Sequence, residues 1–194
     1  VKLGVEVTPE LVSEQAPDAV IVATGSRPKA CPVGGADGPD IFNVWQVLSG
    51  QAALGERVLL IDYDGHHQAA ATAEFLAESG KTVHVVTSSL FVGADLGPSQ
   101  DLYLSRQRLL QKGVTFTPDF AVMEIKGTEV HGFNVYSNVW DVFSGYDSIV
   151  TAMGNDACED LYFALKGKVP ELYRVGDCVA PRKVDMAIHE GYMA

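Results

Sequence analysis

Two carboxylates and two imidazoles crowd one short stretch of the chain, Asp62-Tyr63-Asp64-Gly65-His66-His67. Carboxylate and imidazole ligands suit Mn, Fe or Zn, and paired acids can divide proton donation and acceptance between them. Adjacent histidines point their rings apart, however, and no set of aromatic residues that could stack on a sugar surrounds the acids. The expected state is a solvated turn, with no metal ligands and no catalytic residues.

The flanking residues say what the turn joins. Val58 to Ile61 is an unbroken apolar run, the pattern of a strand covered on both faces. An Ala-rich run with Leu76 follows and stops at Gly80, which suits the left-handed position after a helix. Val83, Val85 and Val86 mark a second strand. Strand, turn, helix and strand in this order make the first half of a Rossmann-type dinucleotide unit. Its turn needs G-x-G-x-x-G, so that backbone and helix N-terminus can approach a pyrophosphate. Those three places hold Asp62, Asp64 and His67, and the one glycine, Gly65, is out of register. At ~5 Å and an effective dielectric of ~20, each carboxylate opposes a pyrophosphate by about 3 kcal/mol. The helix dipole returns only ~0.3–1 kcal/mol. The second strand ends in Thr87-Ser88-Ser89, with no acid for a ribose hydroxyl and no Arg for a 2′-phosphate. We therefore expect Asp62, Asp64, Gly65 and His67 to form a degenerate NAD(P) turn that has lost its coenzyme.

The 194 residues, 47% hydrophobic and 20% charged, are enough for a real core in one or two α/β domains. A net charge of −11 disfavours nucleic acid and anionic membrane as partners. No apolar run is long enough to span a bilayer, and no signal peptide opens the chain. Cys31, Cys158 and Cys178 are far apart, odd in number and never in C-x-x-C, which suggests a reducing, cytoplasmic setting without zinc or iron–sulfur ligation. Val1 falls inside what reads as a strand (1–7) and Ala194 inside what reads as a helix (185–193). A piece of a larger protein is expected.

Along the chain, Thr8 is placed to cap a short helix with Pro9 first and Glu10 in its first turn. Residues 19–23 read as a buried strand running into Thr24-Gly25-Ser26-Arg27-Pro28, and 28–39 as irregular. A crossing into a second domain is expected at Ser49-Gly50. A surface helix over 102–112 should end at Gly113. Three β-like runs, 114–117, 121–125 and 129–136, suggest an antiparallel meander turning at Gly127. Residues 146–153 repeat the acid, apolar strand and A-x-G pattern of 18–25 and read as the return to the first domain. A short helix over 161–165 and a strand over 172–175 close the chain. The expected organisation is a partial first domain, 1–50 with 151–194, interrupted by a βαβ domain over 51–150.

Three segments together are specific: D-A-V-I-V-A-T-G-S-R-P (18–28), L-Y-R-V-G-D-C-V-A-P-R (172–182) and the βαβ insert between them. They resemble the two-dinucleotide-domain flavoproteins of the glutathione reductase type. More narrowly, I-D-Y-D-G-H-H and V-D-M-A-I-H-E-G resemble the C-terminal region of the trimethylamine dehydrogenase and 2,4-dienoyl-CoA reductase family. The resemblance covers essentially the whole chain. It implies that Ala23, Thr24 and Gly25 close the floor of an FAD or ADP site. It implies that Gly176-Asp177 brings a carboxylate to ribityl or ribose hydroxyls, and that Val184, Asp185 and Met186 open a helix aimed at the ligand. For the parent it implies a barrel with FMN, a 4Fe-4S cluster and ADP or FAD. A homodimer, a small methylated amine as substrate and an electron-transfer flavoprotein as acceptor complete the picture. The barrel and the first glycine fingerprint would lie before Val1, so the piece alone should bind no cofactor and be inactive.

Asp62, Asp64 and His67 side with the amine dehydrogenases, in which the inserted domain is a relic. An NAD(P)H-dependent reductase tolerating the altered turn is the alternative, and a non-catalytic scaffold the third reading. His189 reads as a polar, half-exposed contact and Cys178 as a buried free thiol. His84 and His131 carry no signal. Trp45 and Trp140 lack the basic interleaving of a nucleic-acid groove, and no G-x-S-x-G elbow occurs.

Overall fold

The computed structural model describes residues 1–194. Its elements are, in chain order, α1 (Pro9–Gln15), β1 (Ala19–Val22), β2 (Ser26–Pro28), β3 (Ile41–Asn43), α2 (Val44–Leu48), β4 (Arg57–Asp62), α3 (His67–Glu78) and β5 (Thr82–Thr87). They continue with α4 (Asp101–Gln111), β6 (Thr115–Thr117), β7 (Phe120–Lys126), β8 (Glu129–Asn134), β9 (Trp140–Phe143) and β10 (Ser148–Ala152). The last are β11 (Asn155–Ala157), α5 (Asp160–Leu165), β12 (Glu171–Arg174) and α6 (Val184–Met193). Residues 1–29 and 155–194 form one compact unit and residues 30–154 the other. No helix is long and apolar enough to cross a membrane.

The unit of residues 30–154 is built on a parallel sheet in the order β3-β10-β4-β5-β6. β4 lies at its centre, between β10 and β5. That position explains the unbroken apolar run, because alternate residues supply two cores. Val58, Leu60, Val83 and Val85 pack with Ala69, Ala73 and Leu76 of α3 and Leu109 of α4. Leu59, Ile61 and Val86 pack with Phe120, Val122, Ile125 and Val130 of an antiparallel meander, β7-β8-β9. The small alanines of α3 let the helix lie close on the sheet, and Gly80 ends it with φ 80°. Gly132 is forced by a close approach: a Cβ there would stand 2.1 Å from the Ala121 carbonyl oxygen.

Three expectations shift here. The run at 114–117 is the edge strand of the parallel sheet, and the third meander strand is β9, whose exposed Trp140 and Val142 hid the alternation expected of a strand. β10 does not return to the first unit but pairs with β3 and β4. The first crossing falls after Lys29 rather than at Ser49-Gly50, because β3 belongs to this same sheet. Asn43 and Gln46 cap α2 reciprocally, each side chain accepting from the other's backbone amide at 3.0 and 2.9 Å, a capping box.

The other unit holds β1 and β12 side by side and parallel, with β2 and β11 as a separate antiparallel ribbon. Val12, Val22, Leu165 and Cys178 form its small core. Thr8 caps α1 as expected, its hydroxyl accepting from the Leu11 amide at 3.3 Å, with Pro9 in the first turn. β1 is buried on one side only: Val22 is inside, whereas Ile21 is 55% exposed. Its burial falls short of the sequence expectation because β12 is its only strand partner. Residues 1–7 form no strand and are exposed, having no strand to pair with.

Candidate nucleotide site and a closed turn

β1 and β12 run in register from Ala19–Glu171 to Val22–Arg174, and the Val175 amide donates to the Val22 carbonyl at 3.0 Å. Ala23-Thr24-Gly25 and Gly176-Asp177 therefore leave the carboxyl ends of neighbouring parallel strands, where α/β proteins bind their ligands. Gly25 (φ 74°) and Gly176 (φ 71°) both take the left-handed conformation. No atom lies within 4 Å of a Cβ placed on Gly25, so the backbone turn and not a neighbouring side chain requires glycine there. The Thr24 hydroxyl donates to the Cys158 carbonyl, and the Cys158 amide donates to the Gly25 carbonyl at 3.0 Å. Thr24 thus latches the turn from below.

The Asp177 carboxylate is held on both oxygens. Ser26 Oγ donates to Oδ2 at 2.9 Å and the Arg182 amide to Oδ1 at 3.4 Å. Glu190, one helix further on, accepts from the Gly176 amide at 2.8 Å and pairs with the Arg182 guanidinium. Burial pushes the Glu190 carboxyl up, but the Gly176 amide and the Arg182 charge outweigh it, and the group sits below its usual range. At the start of α6 the Met186 amide is taken by the Lys183 carbonyl at 3.1 Å. Of the three expected positions, only Val184 and Asp185 keep their amides for a ligand. Half-exposed Asp177, the open side of Gly25 and these amides fit the hydroxyls and phosphate of a nucleotide.

The turn after β4 is built in the opposite sense. Asp62 is 1% exposed, and its Oδ1 accepts from the amides of Asp64 at 3.1 Å and Gly65 at 2.8 Å. These are donors that a phosphate at a Rossmann turn would need. The side chain at the first glycine position has become an internal anion that closes the cradle. Burial raises the Asp62 carboxyl above its usual range, the Gly65 and Gly93 amides oppose that rise, and the Asp64 charge adds to it. Asp64 is likewise raised by burial, with His66 pulling the other way. Asp62 Oδ2 and Asp64 Oδ2 are buried without hydrogen-bond partners. His67 Nε2 lies 3.2 Å from Asp101 Oδ2, and His66 Nε2 3.9 Å from Asp95 Oδ2, so each imidazole has its own acid. No group of three or more His, Cys, Asp or Glu side chains is arranged to hold a metal ion. Gly65 (φ 68°) closes the turn against Asp95, whose amide donates to the Gly65 carbonyl at 3.0 Å.

The structure thus brings Ala23, Thr24 and Gly25 to one strand end beside Gly176 and Asp177, and it groups Asp62, Asp64, Gly65 and His67 in one turn. Ser26, Arg182 and Glu190 were not singled out from the sequence. Glu190 lies 14 residues from the amide it binds, and no short-range pattern encodes that contact. Cys178 is the buried thiol expected, donating to the Val22 and Val175 carbonyls at 3.1 Å each.

Comparison with known proteins gives first the class. Thioredoxin reductase of Lactococcus lactis superposes on 91% of this chain and 63% of its own, with a TM-score of 0.70 at 21% identity. The fold is that of FAD/NAD(P)-binding reductases, a mixed α/β architecture with parallel and antiparallel sheets. A 2-naphthoyl-CoA reductase is nearer, with 30% identity and a TM-score of 0.88 over 98% of this chain and 28% of that one. Among curated proteins, a metal reductase of Desulforamulus reducens is 28% identical over 98% of this chain and 33% of its own. A probable N-methylproline demethylase of Rhizobium meliloti is 28% identical over 93% and 31%. An N,N-dimethylglycine/sarcosine dehydrogenase of Chromohalobacter salexigens is 27% identical over 97% and 33%. No family model matches. The chain spans about a third of the length of these relatives. It is homologous to the C-terminal parts of the trimethylamine dehydrogenase and 2,4-dienoyl-CoA reductase family, whose members are flavin-dependent oxidoreductases.

Proposed function

We propose that the chain is the nucleotide-holding part of a flavin-dependent amine dehydrogenase. In this reading residues 1–29 and 155–194 hold the adenosine portion of ADP or FAD, and residues 30–154 keep a coenzyme fold without its coenzyme. The observation that carries it is the Asp62 carboxylate seated on the Asp64 and Gly65 amides. A parent with that turn has no nicotinamide entry here, so electrons come from the substrate itself. A small methylated amine fits, as the names of the demethylase and the dimethylglycine/sarcosine dehydrogenase suggest.

Ala23 and Gly25 would line the nucleotide's path, Asp177 would accept from its hydroxyls, and the Val184 and Asp185 amides would face its phosphate. The bound group supplies a redox or structural nucleotide, and this chain's residues orient it. FMN and a 4Fe-4S cluster take no ligand from these residues in our reading. An electron-transfer flavoprotein as acceptor, a homodimer and a cytoplasmic setting belong to the same proposal.

A second reading, an NAD(P)H-dependent reductase, draws on the 30% identity to 2-naphthoyl-CoA reductase. Flavin reduction in the full-length protein separates the two. Bleaching by trimethylamine, dimethylamine or histamine without NADPH is the expected result. Bleaching by NADPH alone would favour the reductase, and neither response would leave a scaffold.

A further inference from the structure

The loop from Gly176 to Lys183 carries Asp177 and ends where α6 begins, so its shape sets both halves of the candidate site. One side chain holds it at two places. Glu190 Oε2 accepts from the Gly176 amide at 2.8 Å, at the loop's first residue. Glu190 Oε1 pairs with Arg182, one residue before its last. Arg182 in turn donates through Nε to the Ala180 carbonyl at 3.1 Å and through its amide to Asp177 Oδ1 at 3.4 Å. The Glu190 side chain is 19% exposed; its bond to the Gly176 amide is partly buried, whereas its pair with Arg182 is open to water. Gly176 has φ 71°, a left-handed conformation that glycine adopts without steric cost. A charge-assisted contact at each end is stronger than a neutral one, and together they fix the loop against the helix. Asp177 and the Val184 amide cannot move apart while both contacts hold.

We propose that Glu190 is the positioning residue of the nucleotide site, bracing the 176–183 loop from α6 so that Asp177 and the α6 N-terminus face one ligand. The proposal rests on the reading of that strand end as a nucleotide site. Glu190 acts through Gly176 and Arg182 and need not touch the ligand. Its place is dictated by helix geometry: seven residues after Lys183 it lies two turns into α6 and faces back along the loop.

The test uses the full-length protein with ADP as probe, comparing wild type, Glu190→Ala and Glu190→Gln. Two quantities are read: hydrogen exchange at the Gly176 amide, which needs no ligand, and ADP affinity by calorimetry. Glu190→Ala should speed Gly176 exchange by about tenfold or more and weaken ADP by about tenfold. Glu190→Gln keeps an acceptor for Gly176 but loses the charge pair with Arg182. It should restore Gly176 protection and part of the ADP affinity, a rescue that a merely space-filling role would not give. Exchange at the Val22 amide, in the core of the same unit, must stay unchanged in both variants. Unchanged Gly176 exchange in Glu190→Ala, or ADP affinity equal to wild type, would overturn the proposal. If wild type binds no ADP, the nucleotide reading fails, while Gly176 exchange still decides whether Glu190 braces the loop.

Discussion

Two strand-end regions of this molecule hold their acids in opposite states. After β1 and β12 the turns keep glycines at φ 74° and 71°, and the acid beside them, Asp177, stays half-exposed. After β4 the first acid is fully buried and spends an oxygen on the turn's own amides. An acid at the carboxyl end of a parallel strand is therefore not one signal but two. Offered outward it can receive hydroxyls. Turned inward it takes the place of the phosphate on the Asp64 and Gly65 amides.

By sequence alone Asp62 and Asp64 are equivalent repelling charges. The structure divides their work. Asp62 removes donors, while Asp64, partly buried and raised by burial, adds charge at the mouth of the turn. Replacing both acids, Asp62→Gly with Asp64→Gly, should have the largest effect of any change considered. It frees the amides and removes about 3 kcal/mol of repulsion per acid. NADH affinity should rise at least about tenfold by calorimetry, and no gain would break the contrast between the turns.

Next come the glycines. Gly25→Ala, Gly176→Ala and Gly65→Ala each force a side chain into the left-handed region, at a cost of about 1–2 kcal/mol. Gly65→Ala should be the worst, because its Cβ would lie 3.0 Å from Asp95 Oδ2, whereas Gly25 has open space. Thermal melts should order the variants that way.

The two regions should also respond to acid with opposite sign. Asp62 and Asp64 are raised above 3.8, so the native state takes up protons before the unfolded chain does. Stability from them rises as pH falls through the raised values and levels off near 3.8. Glu190 is lowered below 4.5, so its contribution is present above 4.5 and is lost as pH falls through the native value. Urea melts between neutral pH and about 3.5 should lose the first trend in Asp62→Asn with Asp64→Asn, and the second in Glu190→Gln.

The smallest effect is expected from Ser26→Ala, which removes one hydrogen bond to a half-exposed carboxylate and should cost about 1 kcal/mol or less. It would sharpen the comparison by loosening Asp177 without unfolding its strand end.

How much of this was legible beforehand follows the range of the forces. The Val58–Ile61 strand, the Ala-rich helix and its Gly80 stop were readable because burial on both faces and helix termination are local. So were Thr8 and Pro9 at α1. β3, β9 and the place of β10 were not, since each depends on a partner strand far away in sequence: Ile41 pairs with Ile149, and Phe133 with Trp140. At the site, glycines and acids could be named from their spacing. The inward turn of Asp62 and the reach of Glu190 could not, because the rotamer of one acid decides each.

The central claim is that Asp62 has sealed the turn after β4. NADH titrated into the wild-type chain, observed at the Asp64 and Gly65 amides by NMR, tests it most directly. The account predicts that these two resonances stay in place through millimolar NADH. A saturable shift at both amides with micromolar affinity would contradict it.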